Sequence, residues 1–294
     1  MSDRSIGHAA GTAGPVALTV ESTIVFTGAP TWQALGHQAA SHDCETARVS
    51  LQRAVLRLRR PTSWKTRVIL LVLAADAVVA LMGMWVVPAI LRWPAGLAAL
   101  LGAVGVQFTI AVAAVFGPMS VDKRPRTAGI CLALGTLFAV AYVGLLAADF
   151  AVLPVSLNAG PATIYALFIG VAVIAGVLAC WRTMRLREGA VAGCWALVIG
   201  TAMWGLGFVP LSYALWGSAR WYNFWLQDGA IEDFHRSGGT NLSAFLLQDM
   251  YGAMVAHQVL SVAIGVAGGF LGSAIVWASK TLARGLGHIT MTKT

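Results

Sequence analysis

Residues 67–87 read RVILLVLAADAVVALMGMWVV, an arginine followed by an apolar run that a single acid, Asp76, interrupts. A helix rises about 1.5 Å per residue, so about twenty apolar residues cover the roughly 30 Å hydrocarbon core of a bilayer. This stretch therefore predicts a transmembrane helix, placed at Val68–Val87. Five more follow, near Ala95–Phe116, Thr127–Phe150, Ala162–Trp181, Ala190–Trp216 and Tyr251–Ser279. Trp85, Trp93, Trp181, Trp216 and Trp277 fall near segment ends, where indole rings prefer the headgroup level. The expected fold is an all-α integral membrane protein, a six-transmembrane-helix bundle.

Composition agrees. Of 294 residues 58% are hydrophobic and 11% charged, where a soluble domain carries about a quarter charged. A net charge of +8 suggests nucleic acid in a soluble protein. In a membrane protein it is better explained by Arg and Lys retained on the cytoplasmic side, and no nucleic-acid partner is expected. With both termini placed inside, all of the 20 basic residues except Arg92, Arg220 and Arg236 fall on cytoplasmic segments. The opposite topology reverses this bias. The expectation is a multi-pass protein of the plasma (inner) membrane with a cytoplasmic N-terminus and C-terminus. Cys44, Cys131, Cys180 and Cys194 form no C-x-x-C pair and fall in the cytoplasm or the cytoplasmic half of the membrane, where reduced, buried thiols are expected.

Outside the spans, residues 1–42 read as a flexible cytoplasmic tail, since Asp3 and Glu21 break the pattern of a secretory signal. Residues 43–66 read as a basic amphipathic juxtamembrane helix. Leu51, Val55 and Leu58 recur at helical spacing, Arg53, Arg57 and Arg60 recur on another face, and Pro61 ends the pattern. Such a helix suits anionic lipid headgroups, each Arg adding about 1 kcal/mol near the surface. The membrane domain spans 67–279 and a cytoplasmic tail 280–294. The external loop 217–250 is distinctive: Trp221, Tyr222, Phe224 and Trp225 predict an interfacial helix or re-entrant turn on the outer leaflet. Ser243–Met250 reads as a second interfacial piece.

Ionisable residues within a membrane are expensive and are functional candidates by default. Asp76 lies near the midplane with no basic residue at its depth. It is expected to be protonated or hydrogen-bonded to a neighbour such as Gln107 or Thr109, as a proton or cation relay or as interhelical glue worth about 0.6–2 kcal/mol. Asp149, Asp249 and His257 share the outer side with Glu232, Asp233 and His235. A metal site there, from His235, His257 and Asp249, is the weaker expectation, since no ligand spacing such as H-E-x-x-H occurs. Gly265, Gly268, Gly269 and Gly272 give the last span a small-residue face for close packing within the chain, or against a protein partner or second copy.

Several chemistries lack their residues. His257 is alone among the histidines within a span, which leaves out a bis-histidine haem, and no Walker motif or G-x-S-x-G elbow occurs. No pattern names a cofactor. Three functions remain. The leading reading is a non-enzymatic membrane subunit of a transport or secretion-type assembly. The second is an autonomous proton- or cation-coupled transporter using Asp76. The third is a membrane enzyme or metal site on the outer face, built from His257, Asp249 and the 217–250 loop.

Overall fold

The structure, a computed structural model, describes residues 63–151 and 160–291. The regular elements among them are all helical. They are α1 (Trp64–Val86), α2 (Pro94–Phe116), α3 (Pro125–Ala151), α4 (Gly160–Thr183), α5 (Leu186–Ala214), α6 (Ala219–Asp228), α7 (Ala230–Ser237) and α8 (Leu242–Met291), with short 3-10 turns at Pro88–Arg92 and Val121–Lys123. Six of them, α1 to α5 and α8, are long and apolar enough to cross a membrane.

Local sequence explains the boundaries. Ser63 caps α1 by accepting the Thr66 N–H, and Asn241 caps α8 by accepting the Ala244 N–H at 2.9 Å. Helices α2 and α3 begin on Pro94 and Pro125, whose missing N–H is no loss in a first turn. Gly229 and Gly238 end α6 and α7 at positive φ, a conformation that favours glycine.

Helix α5 stands in the middle. In its apolar stretch 72% of residues are buried inside the protein, against 28% to 39% in the other five spans. It is hydrophobic all round and rich in Ala and Gly, the composition of a helix surrounded by others. Helices α1, α3, α4 and α8 pack directly on it, and α2 closes the ring between α1 and α8. The outward faces are apolar: Leu71, Phe108, Leu137 and Val140 are each more than 60% exposed. The interior instead holds Asp76, Gln107, Thr201, Gln258 and Ser261. Polar inside and apolar outside is the distribution that hydrocarbon surroundings impose.

The last span is seated through its glycines. A Cβ at Gly265 would meet the backbone of Gly193 and Cys194 on α5, and one at Gly269 the backbone of Gly189. Gly268 and Gly272 face Ala172 and Val173 on α4. The predicted small-residue face is thus filled from within the chain, so a partner on the last span would have to use another side of it.

The loop before α8 is helical over its aromatic stretch, one of the two expected forms. Residues 219–228 form a helix that turns back onto the bundle, with Trp221 and Trp225 buried and Trp216 and Trp221 ring centroids 4.5 Å apart. Ser243–Met250 is no separate interfacial piece but the first part of α8. With Asn241 capping it and no Pro or Gly before Gly252, nothing interrupts the helix. Helix α8 runs on through Lys280 to Met291, into the segment expected as a tail. Cys131, Cys180 and Cys194 are buried free thiols. Cys44, the 1–42 tail and the basic segment with Arg53, Arg57 and Arg60 lie outside the described residues.

The glycine contacts are testable against an internal control. Gly269→Ala forces backbone apart and is expected to cost about 1–3 kcal/mol, read as a lower melting temperature in detergent. Gly170→Ala, where a Cβ meets nothing within 4 Å, is expected to be neutral or slightly stabilising by helix propensity.

Candidate functional site

The antiparallel contact of α5 with α8 sets which residues share a depth. Gly189 faces Ser273, Gly193 faces Gly269, and Ser261 Oγ donates to Thr201 Oγ1 at 3.2 Å. Continuing that register by one turn brings Gly205 level with His257 and Gln258. Gly205 lies directly against the Asp76 carboxyl of α1. One layer about midway through the bundle therefore holds Asp76, Gln107, Gly205, Gln258 and His257.

On one side of the layer, Asp76 is 1% exposed and Gln107 2%. Gln107 Nε2 donates to Asp76 Oδ2 across the α1–α2 interface. Among the described residues, Asp76 Oδ1, Gln107 Oε1 and Gln258 Oε1 are buried without a hydrogen-bond partner. A Cβ at residue 205 would occupy the place of Oδ1, so glycine there is what admits the carboxyl. No ion pair to Asp76 exists among the described residues. Thr109 is exposed and donates to the Gly105 carbonyl at 2.8 Å, so it takes no part.

On the other side an aromatic group encloses His257. Its ring stacks on Trp204 of α5 at 4.7 Å between centroids, and Phe168 of α4 lies 6.1 Å away. His257 Nδ1 is 2.7 Å from the Ala253 carbonyl, which can only accept, so Nδ1 carries the proton. Nε2 in the neutral ring then accepts from the Tyr142 hydroxyl of α3 at 3.0 Å. Both ring nitrogens are engaged. Toward the loop end, Tyr251 donates to the Ala80 carbonyl at 2.6 Å and Tyr213 to that of Val79 at 3.3 Å, which ties α1 to α5 and α8.

The expected outer metal centre is not assembled. Among the described residues no three of His, Cys, Asp and Glu converge as ligands. Asp249 is exposed on α8, while His235, Glu232 and Asp233 are exposed on α7, with Asp233 paired to Arg236. His257 points into the aromatic group. Asp149 belongs to the end of α3, and its side chain is outside the described ones. Partial burial and the neighbouring Asp233 hold the loop acid Asp228 above the usual carboxylate range.

Tyr142, Trp204, Gly205 and Gln258 were not anticipated. Trp204 carried a signal, since it sits within a span rather than at its end; in the structure its buried Nε1 has no partner among the described residues. Nothing in the sequence marks Gly205 among the chain's 32 glycines. No family model, characterised protein or solved structure matches the chain.

The Asp76–Gln107 contact can be measured directly. Gln107→Leu strands the carboxyl without a donor and is expected to cost about 1–3 kcal/mol. In a cycle with Asp76→Ala, thermal unfolding is expected to return a coupling of about 0.5–3 kcal/mol. Strict additivity would mean that the two side chains do not interact.

Proposed function

We propose that this polytopic membrane protein is a proton- or cation-coupled carrier in which Asp76 takes up the coupling ion. The observation that carries the reading is the state of its carboxyl: buried in mid-span, held by one amide, with its second oxygen unpartnered against Gly205. An ionised group left so in hydrocarbon costs at least about 2.5–3.5 kcal/mol. A bound proton or small cation removes that cost, and releasing it restores it. Gln107 Oε1 and Gln258 Oε1 are further unclaimed oxygens in the same layer. Pro210 lies inside α5, where it cannot donate to the Leu206 carbonyl, and Gly205 and Gly207 precede it. The central helix is thus easiest to bend just beyond the carboxyl, which is where a carrier has to change shape.

One observation favours a second reading, the non-enzymatic subunit of a transport or secretion-type assembly. Helix α8 has 50 residues, about 75 Å at the α-helical rise, against a core of roughly 30 Å. Its excess length offers a partner a surface outside the membrane. For orientation, we infer cytoplasmic termini in an inner membrane from the basic connections around Lys123–Arg126 and Arg182–Arg187.

The test is flux in liposomes of the reconstituted full chain, with an interior pH dye and imposed proton or sodium gradients. Wild type is expected to move the coupling ion. Asp76→Asn is expected to fall to the background of empty liposomes while keeping its melting temperature. Gly205→Ala, which keeps the acid but crowds it, is expected to slow flux. Wild-type flux in a folded Asp76→Asn protein sinks the carrier reading. Inert wild-type liposomes, together with stable partners co-purifying in mild detergent, favour the subunit.

A further inference from the structure

At the end of the bundle opposite the aromatic loop, a cavity of about 420 Å³ opens between the α2–α3 connection and the α4–α5 turn. Its lining includes Lys123, Arg124, Arg126, Arg182 and Arg185, with Glu188 as the one carboxylate. That carboxylate is already engaged. Arg124 Nε donates to Glu188 Oε1 at 2.9 Å, and Thr127 Oγ1 donates to Oε2 at 3.0 Å. Arg124 is further held by the carbonyls of Pro118 and Ser120 at 3.2 and 3.3 Å. The inner wall is therefore built and neutralised. Lys123, Arg126, Arg182 and Arg185 are exposed, and their side chains form no ion pair or hydrogen bond among the described residues.

The cations are gathered by local backbone features. Pro125 starts α3 immediately before Arg126, and α5 starts immediately after Arg185, so two long helices direct their N-terminal ends here. Between Thr183 and Arg185, Met184 adopts φ 55°, a left-handed conformation that is uncommon for a side chain of this kind. That sharp turn lets Arg182 at the end of α4 and Arg185 before α5 line one cavity.

We propose that this cavity binds the head group of a membrane lipid carrying two phosphates. Phosphate is the anion that suits a set of guanidinium forks. Four unengaged cations exceed the single charge of one phosphodiester. A lipid, rather than a soluble phosphate, is favoured by what lies beside the cavity. Ile174, Leu178 and Trp181 form an i, i+4, i+7 stripe on α4, exposed by 50%, 40% and 64%, that ends at Arg182. An acyl chain can follow that stripe while Trp181, with Lys280 Nζ 4.6 Å from its ring, marks the headgroup level. Basic pockets between spans are a recurrent headgroup site.

The test uses the purified full chain in mild detergent, with thermal shift and native mass spectrometry as readouts. The probes are cardiolipin, phosphatidylcholine and inorganic pyrophosphate. Cardiolipin is expected to raise the melting temperature and to remain bound, and the other two are not. In Arg126→Ala/Arg182→Ala/Arg185→Ala its half-saturating concentration is expected to rise at least about tenfold. Arg220→Ala, at the other end of the bundle, is expected to leave it unchanged. If the triple variant does not fold, Arg182→Gln and Arg185→Gln are each expected to weaken binding about fivefold, the equivalent of about 1 kcal/mol per charge. Equal cardiolipin binding by wild type and these variants overturns the site. Equal stabilisation by phosphatidylcholine overturns the preference for a two-phosphate head group, and equal stabilisation by pyrophosphate assigns the site to a soluble anion.

Discussion

The bundle depends on the backbone-to-backbone approach of α5 and α8 at Gly189, Gly193, Gly265 and Gly269. In lipid no hydrophobic effect drives one apolar helix onto another, so association rests on close packing and on polar contacts between spans. Glycines at facing positions supply the first. They also fix the register, because any axial slip would bring a larger side chain against backbone. One turn beyond the seam that register pairs Thr201 with Ser261, and one turn further it sets Gly205 beside the α8 layer of His257 and Gln258. The site is a consequence of the seam.

Gly205 then has a different use. On α5 Gly193 meets backbone and Gly189 meets Ser273 and the Gly269 carbonyl, whereas Gly205 meets the carboxyl of Asp76. The central helix is smooth enough there for α1 to present a carboxyl to it, and Gln107 reaches in from α2. A structural polar clamp would be expected to satisfy its own oxygens, since each buried and unpaired polar group costs about 1–3 kcal/mol. Here three acceptor oxygens on three different helices are left over. His257 shows the contrast. Its two nitrogens have a donor and an acceptor, so it fits a positional role better than an exchanging one.

Much of this was legible in the sequence because lipid imposes simple requirements. Span lengths of about twenty residues, basic connections and terminal tryptophans are each a direct response to the bilayer, and the six spans were all found, the last starting at Leu242 rather than Tyr251. Asp76 stood out for the same reason, and Gln107 followed as a nearby polar residue on the next span. What could not be read was side-chain convergence. His257 was grouped with Asp249 by outer-side position, yet one turns inward to Tyr142 and Trp204 while the other is exposed. Position along the chain places both near the outer side but does not say which face meets the ring of helices. The start of α8 was missed because aromatic and acidic residues resemble a loop; in the structure Asn241 caps it.

The basic end of the bundle carries a constraint of its own. Arg124 and Glu188 join the start of α3 to the start of α5, and Trp195 of α5 donates to the Met119 carbonyl at 2.8 Å, holding the α2–α3 connection in place. Around this neutral bolt stand cations from two chain segments, Lys123 and Arg126 of the α2–α3 connection and Arg182 and Arg185 of the α4–α5 turn. Their mutual repulsion acts to spread apart the helix ends that the bolt draws together, and one engaged carboxylate cannot offset it. A counter-charge from outside these residues would relieve that repulsion. At the level of the headgroups the nearest abundant source is the anionic membrane surface, whose attraction for Lys and Arg is about 1 kcal/mol per residue. On the headgroup reading proposed above, lipid is the solvent of the bundle's outer faces and the counterion of its basic end.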